Sequence, residues 1–473
     1  GDAIGAQAAF ERALEWAQAG RAPELECRAL NQLGHLLSWA GPNLRPAQAE
    51  EHHLEAQRIA QRHGLLAELA QTEYYLAVLN QMGRTGQDPA HHRQRLQRAI
   101  EHARRAVELS RAAGLSDIQP WAWFTLASAH FYLGQWASAE AALGEAQKRF
   151  TRMENARGEA EGWVLKARLH VQSGEPHKSL EAARKAHALA ARAGSYEQEL
   201  GAALALGFAL LTAGHYAKGL EVAQSAYRLG MRARPPRRMG SLILLGLAHQ
   251  NLGDWGTAEA LLEEARAVGL HWDQLGEFPF TRLCDLRLWQ GRWEEAAELA
   301  RAALGRREYG RFSVFAGLRW NEAKALLLGG ARQEAEHDVE QLEARFAGHP
   351  RYALLALASR GVLLGCQGQF DAGLERLQQA ARTAAAMGLP LEHWLLEAEQ
   401  AHWLSHLGRL EEAQACLERA RGVLAGLAQG LPPSRCPAFW SAAEQVLEGR
   451  WQPLAPLAGA APVLPLTESS AGL

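Results

Sequence analysis

The 473-residue chain carries 50 basic and 52 acidic side chains, a net charge of −2, with 48% hydrophobic and 22% charged residues. That balance removes any global attraction to nucleic acid or anionic lipid, and no apolar run approaches the roughly eighteen residues that cross a bilayer. Ala, Leu, Glu, Gln and Arg, the strongest helix formers, dominate, while Asp is scarce and Val–Ile–Thr runs are absent, so the composition predicts an all-α protein.

In chain order, residues 6–19 read as the second helix of a repeat whose first helix is absent, and the unit 1–20 is taken as that incomplete repeat. A solenoid beginning half-way through a unit leaves an uncapped face, which implies further repeats upstream or a fragment. Gly34-His35-Leu36-Leu37 before Gly41, and Tyr74-Tyr75-Leu76-Ala77 before Gly83, mark two first helices. The polar stretch 84–95, with Asp88-Pro89 and His91-His92, reads as a loop insertion ahead of a helix over 96–113.

From there a Gly-x-aromatic turn recurs, as in Gly134-Gln135-Trp136, Gly214-His215-Tyr216, Gly253-Asp254-Trp255, Gly291-Arg292-Trp293 and Gly368-Gln369-Phe370. With the weaker copies at Gly174, Gly330 and Gly408, the glycines are spaced by 40, 40, 39, 38, 39, 38 and 40 residues. Seven residues before each glycine stands a small residue: Ala127, Ala167, Gly207, Gly246, Cys284, Ala323, Gly361 and Ala401. Five after it stand Ala139, Ser179, Gly219, Ala258, Ala296, Ala335, Gly373 and Ala413, again all small. Twelve after it the column is alanine except for Leu342. Small residues at fixed points on two successive helices let their backbones approach, which an antiparallel pair requires. Glycines at 114, 194, 230, 269, 348 and 388 are expected to close second helices in the left-handed conformation. About ten such repeats fill 21–427, followed by a terminal helix or cap over 428–450 and a Pro/Ala-rich, poorly ordered tail over 451–473.

This small-residue code with its Gly-x-aromatic turn resembles the tetratricopeptide repeat, in a long form of about 40 residues rather than the usual 34. HEAT-type repeats share the length but lack the code. The long form is similar to the helical arrays of bacterial multidomain signalling ATPases and of transcriptional activators of the maltose-regulon type. The resemblance implies a right-handed superhelical solenoid of antiparallel helix pairs. It also implies an inner face lined by first-helix residues 13, 10, 6, 3 and 2 before the turn glycine. Those positions give Trp121, Phe124, Ser128, Phe131 and Tyr132 in one unit and Glu161, Val164, Arg168, Val171 and Gln172 in the next. Later units supply Asp285 and Trp289, Trp320 and Lys324, and His402 and His406. Trp121, Phe124, Phe131, Tyr132, Arg168, Asp285, Trp289, Trp320 and Lys324 are therefore the candidate ligand- or partner-binding residues, because aromatic and arginine side chains on a concave surface anchor peptides and small ligands. The competing reading is packing against a neighbouring repeat.

Chemistry is mostly absent. No phosphate loop, H-E-x-x-H, G-x-S-x-G or dinucleotide fingerprint occurs, so neither an enzyme nor a cofactor is expected. Five scattered cysteines without a C-x-x-C pair read as small buried residues of a reducing compartment, and a cytoplasmic location follows. His402 and His406 share a helix face but lack a third metal ligand, and with His52-His53 and His91-His92 they read as surface histidines. The cluster Arg228, Arg232, Arg234, Arg237 and Arg238 reads as a solvated inter-repeat loop rather than a nucleic-acid contact. Lys166, Glu322, Arg360 and Gln400, each eight before a turn glycine, either face solvent or form buried pairs.

The resulting expectation is a non-catalytic sensor or scaffold module of a larger bacterial signalling or transcription-regulatory protein. Its concave groove would take a peptide, a protein segment or a small inducer, without direct contact to nucleic acid or membrane. The chain itself would be a monomer or weak dimer. The alternative is a freestanding assembly scaffold or co-chaperone without a linked effector domain.

Overall fold

The computed structural model describes residues 3–39, 45–82, 92–233, 235–270, 277–305 and 312–449. Among them there is no strand, and the helices alternate in direction along the chain. The first five are α1 (Ala3–Ala19), α2 (Pro23–Trp39), α3 (Pro46–His63), α4 (Leu66–Met82) and α5 (His92–Ala112). Next come α6 (Ile118–Tyr132), α7 (Trp136–Arg152), α8 (Ala156–Ser173), α9 (Pro176–Ala193), α10 (Tyr196–Thr212) and α11 (Tyr216–Gly230). They are followed by α12 (Pro235–Asn251), α13 (Trp255–Leu270), α14 (Glu277–Trp289), α15 (Trp293–Gly305), α16 (Phe312–Leu328) and α17 (Arg332–Phe346). The last are α18 (Pro350–Cys366), α19 (Phe370–Met387), α20 (Pro390–His406), α21 (Leu410–Ala428) and α22 (Cys436–Leu447). From α2/α3 to α20/α21 they form consecutive antiparallel hairpins, each packed on the next.

The repeat columns explain the hairpins. All eight turn glycines adopt positive φ, between 72° and 82°, a conformation that costs a residue with a Cβ about 1–2 kcal/mol. The small residues seven before and five after each turn face one another. Ser179 Oγ donates to the Ala167 carbonyl oxygen at 2.9 Å, and the Cys284 thiol points at the Ala296 carbonyl at 3.6 Å. At the Gly361/Gly373 pair the backbones approach so closely that a Cβ on Gly373 would lie 2.7 Å from the Gly361 carbonyl oxygen.

First helices also touch the first helices of the next unit, as in α4–α6, α6–α8, α8–α10 and α14–α16, whereas neighbouring second helices approach one another less closely, with long side chains such as Arg301 of α15 reaching Glu334 of α17 at 2.6 Å. The first helices thus form the shorter, inner circumference and the second helices the outer one. Burial follows: α7 buries one stripe (Ala139, Ala142, Leu143, Ala146, Phe150), while α10 is buried over most of its surface.

Curvature brings distant units into contact along the superhelix axis. The α6–α7 turn meets the α17–α18 junction, five and a half units further on, with the Trp136 ring 4.3 Å from that of His349, and it also meets the start of α16, 5.8 Å from the Phe312 ring. Gly174, in the α8–α9 turn, abuts Met387 at the same interval and Arg351 one unit nearer. Gly214 abuts Pro390 and Leu427, and Arg435 Nη1 reaches Asp254 Oδ2 at 3.1 Å. Successive turns of the superhelix are therefore in direct contact, forming a continuous seam.

Several sequence-based expectations change. Gly114, Gly194 and Gly388 close their helices with positive φ, but Gly230, Gly269 and Gly348 do not. Gly230 is small for room instead, since a Cβ there would overlap Ser241. His53 is not a surface residue: it is 1% exposed, with Nδ1 3.0 Å from Asn31 Oδ1 and its ring stacked on Tyr75. His402 is half-buried beneath Gly449, and burial holds its pKa down at about 4. Arg237 and Arg238 stand in the first turn of α12 and pair with glutamates, Arg238 with Glu264 at 2.7 Å. Glu322 and Arg360 form inter-helix pairs, Glu322 with Arg301 at 3.5 Å and Arg360 with Glu343 at 3.0 Å. Most of the expected insertion, including His91, and the tail 451–473 lie outside the described residues.

Candidate functional site in the solenoid interior

A first helix packs its own partner on one side and neighbouring units on the others, so only a narrow inner strip keeps water. Charged residues of these helices that do not pair with second helices stand in such strips, and curvature points the strips at one another. Helices α14, α16, α18 and α20 converge in this way. Arg282 Nη1 lies 2.9 Å from Asp285 Oδ2, both on α14, and Asp285 keeps 13% side-chain exposure. Burial raises the Asp285 carboxyl above the ordinary carboxylate range, against the opposing pull of the Arg282 guanidinium, the Asn321 amide and the Lys324 ammonium. Burial likewise pushes the Lys324 ammonium down, opposed by Glu399 of α20 and by Asp285. The Lys324 Nζ stands 5.6 Å from the Trp320 ring centroid.

Arg351 of α18 closes the group. Its Nη2 and Nε hold Glu392 Oε1 of α20 at 2.6 and 3.1 Å, and its Nη1 donates to the Val171 carbonyl oxygen at 3.1 Å. The Trp289 ring lies 6.5 Å from Trp255 and, edge to face, 6.0 Å from Trp394 of α20, three units away. The interior is thus pinched, with an aromatic contact across it and charges of both signs beside it. Two polar atoms in the same region, Asn321 Oδ1 and Thr281 Oγ1, are buried without a hydrogen-bond partner.

The nine sequence-derived residues fall into three groups. Asp285, Trp289, Trp320 and Lys324 come together as described. Tyr132 and Arg168 meet further back, where the Arg168 guanidinium lies 4.9 Å from the Phe131 ring centroid and 5.5 Å from that of Tyr132. Phe131 itself is 4% exposed and belongs to the core between α6 and its neighbours. Trp121 and Phe124 sit at the start of α6, Trp121 against Phe150 of α7 at 4.8 Å with Arg157 of α8 over its ring at 5.6 Å.

Arg282, Arg351, Glu392 and Glu399 escaped the sequence reading. The columns taken from the shorter repeat stop 13 residues before the glycine, but α18 and α20 each begin 18 before it. Extending the inner strip by one more helical turn reaches Arg351, Glu392 and also Arg237, which lies 3.6 Å from Glu161.

Among the described residues no group of three or more His, Cys, Asp or Glu side chains is arranged to hold a metal ion. The His402 and His406 rings are 5.1 Å apart without a third ligand. No described helix is long and apolar enough to cross a membrane.

No protein-family model and no curated protein matches the sequence. Solved structures do match in shape. A Rap protein complexed with competence and sporulation factor aligns with a TM-score of 0.50 at 14% identity, over 86% of this chain and 99% of that one. A signal-transduction ATPase with numerous domains and a tetratricopeptide repeat sensor, from Pyrococcus horikoshii, aligns at 0.39 and 16% identity, over 71% of this chain and 51% of that one. The Rap conjugation gene regulator of plasmid pLS20, in complex with the Phr* peptide, aligns at 0.43 and 11% identity, over 86% of this chain and 97% of that one. The Rap alignment at 0.50 agrees with the internal geometry: this chain has the fold of a tetratricopeptide-like helical-repeat solenoid.

Proposed function

We propose that the chain is a non-catalytic sensor or scaffold module that holds a peptide or protein segment in its interior, as part of a bacterial signalling or regulatory system. The convergence of Asp285 and Trp289 of α14 with Lys324 of α16 and Trp394 of α20 carries this reading. Side chains of opposite charge shifted by burial, beside an amide oxygen and a hydroxyl that lack hydrogen-bond partners, make a site that recognises polar groups through desolvated hydrogen bonds. No nucleophile is paired with a base there, which favours binding over turnover. The Rap protein with which this chain shares its fold was solved with a bound factor, which supports a binding role for the same architecture here.

The test is a thermal-shift titration of the purified chain with pooled N-acetylated decapeptides, run in parallel on Lys324→Met. Binding to the native state raises the melting temperature by mass action, by about 2.7 kcal/mol of added stability at a hundredfold excess over Kd. A peptide-induced rise that disappears in the variant supports the interior site. An equal rise in both proteins places binding elsewhere and removes the proposal's basis.

A further inference from the structure

Helices α6 and α8 run side by side as first helices of adjacent units, and their inner strips carry a repeated contact. Trp121 and Tyr132 are eleven residues apart on α6, and Arg157 and Arg168 are eleven apart on α8. Eleven residues make just over three full turns, so each pair shares one face of its helix, about 16 Å apart. Arg157 lies over the Trp121 ring at 5.6 Å, and Arg168 lies over the Tyr132 ring at 5.5 Å and the Phe131 ring at 4.9 Å. The two steps of this ladder are thus built alike.

The other cations of the inner strips have carboxylate partners or neighbours. Arg237 has Glu161 and Glu197, Arg282 has Asp285, and Arg351 has Glu392. Lys324 is flanked by Glu399 and Asp285. Neither Arg157 nor Arg168 has a carboxylate partner among the described residues; their contacts are to aromatic faces. Glu161, which lies between them on α8, is taken by Arg237. A guanidinium held against an aromatic face is not neutralised by a carboxylate there, and its N–H donors remain available in the fork geometry that matches one. Arg157 also stands in the first turn of α8, where the helix dipole disfavours a cation and favours an anion brought to it.

We propose that the α6–α8 strip binds an acidic, extended polypeptide segment through two of its carboxylates, one at Arg157 and one at Arg168. An extended chain advances about 3.3 Å per residue and turns alternate side chains to one face, so the shared-face spacing nearest a 16 Å span sets the two acidic residues four positions apart, about 13 Å, with the side chains reaching the remainder. This specifies the ligand chemistry of the peptide-binding reading above and rests on it.

Fluorescence anisotropy of the full chain with labelled decapeptide pools tests the assignment. The pools carry Glu at positions 3 and 7, Glu at positions 3 and 4, or Gln at 3 and 7, with the remaining positions randomised. The four-apart Glu pool should bind at least tenfold tighter than the Gln pool, with the adjacent-Glu pool between them. The double variant R157Q/R168Q should lose that preference while still binding the Gln pool, and R157K/R168K should keep part of it. Circular dichroism melts confirm that the variants fold. Equal binding of Glu and Gln pools to the wild type, or a preference that survives R157Q/R168Q, overturns the inference and leaves interior peptide binding standing. Binding of no pool overturns both. Competition with citrate and inorganic phosphate separates the sources: displacement by these small ions without any spacing preference assigns the arginines to a small anion and overturns the acidic-segment proposal.

Discussion

Arg351 donates from Nη1 to the carbonyl oxygen of Val171, 180 residues earlier in the chain, while its other nitrogens hold Glu392. One side chain thereby belongs both to the polar interior and to the seam between successive superhelical turns. The neighbouring Tyr352 hydroxyl repeats the link by hydrogen bonding to Gln172. A repeat array whose units touched only their neighbours would be a spring with additive, one-dimensional stability. Contacts at this sequence distance add a restraint on pitch, so a ligand that changes the interior also acts on the seam.

The aromatic cluster of Trp136, Phe312, His349 and Tyr352 is the apolar part of that seam. Trp136→Ala should cost about 2–4 kcal/mol, somewhat less than a fully buried tryptophan because the ring is only half-buried. Small-angle scattering should show a larger radius of gyration while far-UV dichroism keeps its helical intensity. Trp293→Ala, whose ring packs locally against α14 and α16, should lower stability without the change in size. Equal radii for all three proteins would mean that the seam does not hold the pitch in solution.

The repeat period, the hairpin and the facing small-residue columns were readable because each is enforced locally, by a positive-φ glycine and by backbone approach within about twenty residues. Ala167/Ser179 and Cys284/Ala296 contact one another where the columns placed them. The seam was not readable, because nothing in Trp136 or Gln172 announces partners two hundred residues away; those follow from the small angle between units, summed over five and a half of them. His53 was misjudged for a related reason. Adjacent histidines on a helix look like a solvated pair, but His53 has Asn31 and Tyr75 of other helices as partners. Arg351 and Glu392 were missed because the first helices are one turn longer than the repeat they resemble.

Glycine-to-alanine exchanges should change sign with the column. Alanine is the better helix residue by about 1 kcal/mol, and Gly422, inside α21 with nothing near a built Cβ, should gain about 0.5–1 kcal/mol on replacement. At Gly373 the same Cβ meets the Gly361 carbonyl oxygen and the Gly365 backbone nitrogen, at 2.7 and 3.0 Å. Backbone atoms have no rotamer to escape into, so the hairpin must widen, and Gly373→Ala should lose about 1–3 kcal/mol. Denaturant midpoints of the two variants moving in the same direction would show that hairpin approach is not what these columns enforce.

Acid should attack the N-terminal units through His53. Burial, aided by the charges of His35 and His52, holds its pKa at about 3 against an ordinary 6.5. The neutral ring donates to Asn31, whose amide in turn donates to Thr72 at 2.8 Å, and Thr72 to the Glu68 carbonyl oxygen at 2.8 Å. Because the folded value lies below the unfolded one, the unfolded chain binds the extra proton. The contribution is complete above about pH 6.5 and is lost as pH falls toward 3. Each unit below 6.5 costs about 1.4 kcal/mol, or about 2 kcal/mol at pH 5. His53→Gln keeps a donor for Asn31 but cannot charge, so its stability should fall less between pH 7.5 and pH 5 than that of the wild type, by about that amount. Hydrogen exchange at pH 5 should locate the loss in α2–α4, because a repeat array opens unit by unit and the proton enters between these helices. Parallel stability profiles for the two proteins would show that His53 does not carry the acid sensitivity.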